Sequence, residues 1–306
     1  MTYVHYRGKT NTLKMLLRTL HHKVWFPRRP LVMGIVNIND DSFSGDGSLD
    51  IEEAIAQAEA QVRAGADIID VGGESARTNR APISVADEIS RLTPFVTRFA
   101  ECHSTVRPVD DEQIFPPMLS LNTWRPEVLR ALLPLGIDIV NDISALAHAE
   151  NAAVAAEYGA ALVIMHSVGE PKVPHRDVQY ADIMQTLDDF FEHRIAEAIK
   201  AGLSREAIIL DPGIDFAKQR PDNLRIYREL GRLNRFDRPI LLPVSRKTVI
   251  GEVLDLPEPK DRDPGTIACI VAGMQQQASI FRVHNVNATS LAVRAIWSVL
   301  GRTAVP

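Results

Sequence analysis

Along the chain, short apolar runs alternate with stretches in which apolar residues recur at helical spacing. The runs cover 31–37, 67–71, 118–122, 138–141, 161–165, 207–211, 239–244 and 279–284. Each has the length of a strand and is apolar nearly throughout, as a strand covered on both faces must be. Each is followed by a helical stretch. The first of these, 50–64, opens on a capping-box pattern with Asp50 and Glu53 and stops at Gly65. Eight such units predict an α/β fold, a TIM (β/α)8 barrel over residues 31–306. A doubly wound open sheet is the rival, but it usually carries a glycine-rich turn after its first strand, and MGIVNINDDSF stands there instead.

Residues 1–30 precede this rhythm and read as an N-terminal helical/basic extension. Arg7, Lys9, Lys14, Arg18, Lys23, Arg28 and Arg29 occur with no acidic residue before Asp40, and Leu13, Leu16, Leu17, Leu20 and Val24 share one helical face. Such a helix could be a presequence or a surface-binding element. The favoured expectation is a helix plugging the bottom of the barrel, with Trp25 and Phe26 packed under it. The stretch 102–117, with its prolines and DDE run, connects a helix to the next strand and so belongs to the same bottom face, as a solvated insertion.

Composition narrows the function without choosing it. The 306 residues are 45% hydrophobic and 24% charged, and the net charge of -5 gives no support for nucleic-acid binding. A small molecule is the better partner. Cys102 and Cys269 form no CxxC pair, which argues against a zinc site or disulfide framework and for a reducing, cytoplasmic compartment. No apolar run approaches the roughly 20 residues of a membrane span, and the N-terminus lacks the apolar core of a secretion signal.

In barrels the chemistry gathers where strands end, and here those ends are polar. They bring Asn37; Gly72, Gly73, Glu74 and Ser75; Asn122; Asn141 and Asp142; His166; Asp211; Ser245, Arg246 and Lys247; and Arg282, His284 and Asn285. A lone Asn or Asp in such a place commonly just ends a strand, but polar groups at all eight ends point to a site. Arg282 and His284, two apart on a strand, face the same way. They suggest a phosphate clamp built from a guanidinium fork and an imidazole. Asn122, Asn141 and Asp211 offer amide and carboxylate groups for the edge of a flat heterocycle, a pterin or a purine.

The segments MGIVNINDDSFS (33–44), DIIDVGGESAR (67–77), NDIS (141–144), MH (165–166), DPGIDFAK (211–218), SRKTVIG (245–251) and RVHNV (282–286) resemble, in order, the signature blocks of the dihydropteroate synthase family. The resemblance spans about residues 31–300. It implies a transferase of folate biosynthesis that joins a dihydropterin pyrophosphate to p-aminobenzoate, with magnesium (Mg2+) as cofactor, sulfonamides as inhibitors and a homodimeric assembly. It also implies site roles: Asn37 for the metal; Arg282 and His284 on the pyrophosphate; Asn122, Asn141, Asp211 and Lys247 around the pterin; Lys247, Ser245 and Arg246 near the aminobenzoate. Two mobile loops, 39–47 and 74–82, would carry Asp41, Phe43, Arg77 and Thr78, with Asp41, Arg77, Asp211 and Lys247 in the catalytic set.

The chain departs from the family pattern where the chemistry is closest. Asn122 stands for a pterin-facing carboxylate, Asn39 and Asp40 replace a Thr-Pro pair, Gly45 and Asp46 are exchanged, and Ala76 and Thr78 flank Arg77. Asp215 takes the place of a common glycine, Asn285 that of an acid, and the sequence after His166 diverges. A pterin-binding paralogue with altered or lost activity is therefore the alternative to a synthase. A pterin-dependent methyltransferase on the same barrel has no leaving pyrophosphate and would not need Arg282 with His284.

Overall fold

The computed structural model describes residues 15–39, 47–75, 81–173, 175 and 177–301. Eight of the apolar runs are parallel strands: β3 (Leu31–Asn37), β4 (Ile68–Gly72), β5 (Met118–Asn122), β6 (Ile139–Asp142), β7 (Ala161–Met165), β8 (Ile208–Asp211), β9 (Leu241–Pro243) and β10 (Ile280–Val283). They follow one another in the order β8-β7-β6-β5-β4-β3-β10-β9. A parallel bridge between Leu210 and Ile240 joins the two outer strands, so the sheet curls into a barrel. The strands are buried along nearly their whole length because helices cover them outside and side chains fill them inside.

The helices are α1 (Ile51–Arg63), α2 (Val85–Arg98), α3 (Pro126–Leu132), α4 (Glu150–Glu157), α5 (Ile183–Lys200), α6 (Arg220–Glu229), α7 (Thr248–Leu254), α8 (Asp263–Gln275) and α9 (Val286–Val299). Local sequence sets their ends. Asp50 caps α1 by accepting from the amides of Glu52 and Glu53. The Glu53 carboxylate answers through Ser48, whose hydroxyl donates to it at 2.6 Å. Gly65, at φ +101°, turns the chain out of the helix as expected.

The bottom of the barrel differs from the expectation. Among the described residues, the N-terminal segment is an antiparallel hairpin of β1 (Met15–Arg18) and β2 (Lys23–Phe26), and its residues 15–26 form no helix. The helical spacing of its leucines is overridden by β-forming Val24, Trp25 and Phe26 and by a turn in which Thr19 bonds to His22 through both backbone and hydroxyl. Leu17, Val24 and Phe26 are buried, whereas Trp25 is 55% exposed. The hairpin does lie on the barrel floor: Asp138, directly before β6, accepts from the Thr19 hydroxyl at 2.8 Å and the His21 amide at 3.0 Å. Residues 1–14, with Arg7, Lys9, Lys14 and Leu13, lie outside the described residues.

Nor is 102–117 a solvated insertion. Cys102 is fully buried, Gln113 donates to the carbonyls of Val62 and Ala66, and the Ile114 amide donates to Asp67. Arg29 reaches across to Asp110. Hydrogen bonding to exposed strand starts, rather than composition, decides where this segment lies.

Asp138→Ala should detach the hairpin from the floor. Leaving the Thr19 hydroxyl and the His21 amide without their acceptor is expected to cost about 1–3 kcal/mol in urea unfolding, and an unchanged midpoint and slope would contradict the tie.

Candidate active site

The C-terminal strand ends surround a cavity of about 840 Å³. Its lining includes Asn37, Asn122, Asn141, Asp211, Ser245, Lys247, Arg282 and His284. Eight residues named from the sequence are thus brought to one chamber. Arg246 is not among its lining: it sits at φ +57° with its guanidinium on Asp263 at 2.8 Å, facing α8. The swap of Asn285 for an acid explains the pairing, since Asn285 donates to the same Asp263 carboxylate at 2.9 Å. Asp41, Phe43, Arg77 and Thr78 lie outside the described residues.

Beneath the chamber is a charged centre that the pattern of strand ends does not reveal. Asp70, in the middle of β4 and fully buried, accepts from Arg282 Nε at 2.7 Å, Asn141 Nδ2 at 3.0 Å and Ser120 Oγ at 2.6 Å. One carboxylate thus holds side chains from β10, β6 and β5. It grips Arg282 through Nε, so the donors of the terminal nitrogens are not spent on that bond. A carboxylate in the middle of an apolar strand was the available signal.

His284 is set by Ser245. The Ser245 hydroxyl accepts from the His284 amide at 3.2 Å and lies 2.8 Å from Nδ1. The contact anchors the imidazole through Nδ1, with the donor and acceptor roles set by the tautomer. Arg282 and His284 thus bring a guanidinium and an imidazole to one wall of the chamber.

The loop after β8 builds the opposite wall. Asp211 accepts from the Gly213 amide at 2.7 Å, and burial raises its carboxyl to about 6, against the pull of Gly213, Lys247, Lys218 and Arg282. Gly213 has φ +69°, and a Cβ there would lie 2.0 Å from the His166 carbonyl, so only glycine fits. Lys247 donates from Nζ to the Ile214 carbonyl at 2.8 Å and lies 5.1 Å from the centre of the Phe216 ring.

Lys218, also unmarked in the sequence beyond its place in DPGIDFAK, lines the chamber and is 8% exposed. Its Nζ is 2.8 Å from His166 Nδ1 and reaches the carbonyls of Gly213 at 2.9 Å, Phe216 at 3.0 Å and His166 at 3.2 Å. Burial lowers Lys218 to about 7, and burial with the Lys218 charge lowers His166 to about 2. His166 is therefore a neutral acceptor at ordinary pH, edge-on to Phe190, and the pair fixes the loop rather than shuttling protons.

A second network ties the loop after β4 to the one after β7. Lys172 donates to Glu74 at 2.9 Å and to the carbonyls of Ser75 and Ala81, while Arg125 bridges Glu74 and Glu88.

A closed parallel barrel that gathers Arg282 and His284 with Asn122, Asn141 and Asp211 around one chamber at its strand ends has the architecture of a barrel enzyme, and the family model described as pterin binding enzyme matches residues 33–284. The chain is 36% identical over 272 residues to the dihydropteroate synthase of Escherichia coli K12, covering 89% of this chain and 92% of that one. Among solved structures, the Yersinia pestis dihydropteroate synthase in complex with a sulfonamide drug matches with a TM-score of 0.84 at 31% identity, over 94% of this chain and 100% of that one. The Xanthomonas albilineans dihydropteroate synthase with 4-aminobenzoic acid matches with a TM-score of 0.80 at 30% identity, over 95% and 100%. The chain belongs to the dihydropteroate synthase family of pterin-binding enzymes.

The lowered Lys218 makes a linkage prediction. Between about 7 and its ordinary 10.5 the unfolded chain carries a proton on this lysine that the folded one has lost. Stability therefore rises with pH across that window and is lost as pH falls through about 7. The stability difference between wild type and Lys218→Met should grow between these limits by up to about 1.4 kcal/mol per pH unit. A difference that stays flat in urea titrations across this range would contradict the assignment.

Proposed function

We propose that the chain performs the reaction of its family, joining dihydropterin pyrophosphate to p-aminobenzoate with release of pyrophosphate, as a transferase of folate biosynthesis. The observation that carries this reading is the pairing, in one chamber, of Arg282 and His284 with the Asn122, Asn141 and Asp211 cup. The pyrophosphate falls to Arg282 and His284, whose charge and hydrogen bonds stabilise the negative charge that builds as the carbon–oxygen bond breaks. The pterin edge falls to Asn122, Asn141, Asp211 and Lys247. Asp211, ionised at neutral pH, opposes the positive charge left on the pterin methylene. The aniline nitrogen then forms the new carbon–nitrogen bond and gives up one proton. Ser245 and Lys247 line the side from which the aminobenzoate arrives, and Asp41, Phe43, Arg77 and Thr78 are assigned to loops that shield the reacting carbon from water.

Magnesium fits this donor set in one way. Asn37, at the end of β3, lines the chamber and carries an amide oxygen of the hard type, and among the described residues no three His, Cys, Asp or Glu side chains gather as a cage. Magnesium is typically held by one or two protein groups together with substrate phosphates, so Asn37 would hold the ion jointly with the pyrophosphate. When bound it would neutralise charge on the leaving group.

Among the described residues no helix is long and apolar enough to cross a membrane, and the free thiols Cys102 and Cys269 suit the reducing cytoplasm. A second copy is the proposed partner: α8 is apolar on most sides, with Ile267, Cys269 and Val271 only partly covered. Sedimentation at a single-chain mass would remove that assignment. Sulfonamides would compete for the aminobenzoate side.

Purified protein with both substrates and magnesium should release pyrophosphate in proportion to pteroate formed. Binding of the pterin without turnover would instead identify an inactive paralogue, which Asn122 and the altered loops would explain. Arg282→Ala should weaken the pyrophosphate substrate by about 2 kcal/mol or more while leaving a phosphate-free pterin nearly unaffected; equal weakening of both would refute its role. Asn122→Asp should raise turnover, about tenfold for each 1.4 kcal/mol of cation stabilisation gained. An unchanged or lower rate would show that this position does not limit catalysis.

A further inference from the structure

Three consecutive residues of the loop after β8 converge on the start of α7. Ile214 offers its carbonyl to Lys247 Nζ, and Phe216 offers its ring. Asp215, between them, takes the helix itself: its Oδ2 accepts from the Thr248 amide at 2.5 Å and its Oδ1 from the Val249 amide at 3.3 Å. Asn223 of α6 braces Asp215 from behind, donating to Oδ1 at 3.2 Å and accepting from the Asp215 amide at 2.9 Å. Lys247, the residue before the helix, has no capping side-chain bond of its own.

The backbone at Asp215 makes this arrangement informative. Its φ of +69° lies in the left-handed region that glycine occupies without strain. An aspartate there accepts a conformational cost, and what it brings in return is a carboxylate wedged between two loops that line the chamber. That carboxylate is also the strongest of the charges holding the proton on Lys247, against burial and the opposing Arg282.

We propose that Asp215 is a positioning residue that fixes Lys247 at the chamber wall by holding the start of α7 to the loop after β8. Lys247 is the group that the reading above places beside both the pterin and the aminobenzoate, so this inference rests on that reading for its consequence in catalysis. Its physical content does not. Asp215 ties the loop that follows Asp211 to the helix start that follows Lys247, so the two side chains are set by one connected turn. The charged groups facing Lys247 are Asp211 from β8, Asp215 from the following loop and Arg282 from β10, with the Lys218 ammonium on the same loop adding repulsion. Removing Asp215 leaves only Asp211 to offset two cations.

The test is a titration of Lys247 in the free protein, by NMR of lysine labelled with carbon-13 at Cε, with the signal assigned through Lys247→Arg. Asp215→Asn keeps the shape without the charge. Asp215→Gly removes the side chain where glycine adopts the backbone freely, which keeps the loop folded. In both variants the Lys247 midpoint should fall by about one pH unit or more, and the alkaline limb of kcat/KM should fall with it. A midpoint that stays in place in both variants overturns the proposal, whatever the melting temperature does. If the wild-type protein forms no pteroate, the synthase reading fails, but the titration still decides the role of Asp215.

Discussion

The site depends on one buried carboxylate. Asp70 lies in the interior of the barrel, where an isolated ion would be strongly disfavoured, and its charge is tolerated because Arg282, Asn141 and Ser120 all close on it. The constraint acts both ways. Arg282 can present a guanidinium fork to the chamber only because its Nε is held from below. Asn141 is likewise committed in its orientation, since its amide nitrogen faces Asp70 and its carbonyl is left for other donors. Breaking such a buried pair by deleting one member typically costs about 3–5 kcal/mol, which makes the centre a requirement of the fold as well as of the site.

Around that centre the charges are balanced in pairs. Arg282 is matched by Asp70, Lys247 by Asp215 and Asp211, and Arg246 by Asp263. Lys218 is different: among the described residues its Nζ is held by three carbonyls and a neutral imidazole. Burial is why its proton is loosely held, and its bonds order the Gly213 to Phe216 turn. In the proposed reading a phosphate-bearing ligand would meet Arg282 and His284 already held by Asp70 and Ser245, so little reorganisation would be left for binding.

Much of this was legible in the sequence. Apolar runs placed all eight barrel strands to within two residues, because a strand covered on both faces leaves little freedom in composition. Strand ends named the chamber, since a barrel exposes little else at that face. Three things were not legible. The N-terminal hairpin was hidden because Leu16, Leu17, Leu20 and Val24 satisfy helical spacing by coincidence, and only the Thr19–His22 turn and the bond to Asp138 decide otherwise. The bond of Arg246 to Asp263 was hidden because adjacent residues in a turn point in different directions, and a positive φ turns this one toward α8. Asp70 and Lys218 were overlooked because the side chains they meet, Ser120, Asn141 and Arg282 for the one and His166 for the other, lie 50 or more residues away along the chain, a proximity that only the closed barrel creates.

The central claim is that Asp70 equips Arg282 to bind the pyrophosphate. A double-mutant cycle measures this directly: calorimetric affinity for dihydropterin pyrophosphate in the wild type, Asp70→Asn, Arg282→Met and the double variant. If the carboxylate acts through the guanidinium, the two substitutions should be strongly non-additive, with a coupling of at least about 1.5 kcal/mol, and Asp70→Asn should add little once Arg282 is gone. Additive losses would show that Asp70 and Arg282 serve the ligand independently and would contradict the account.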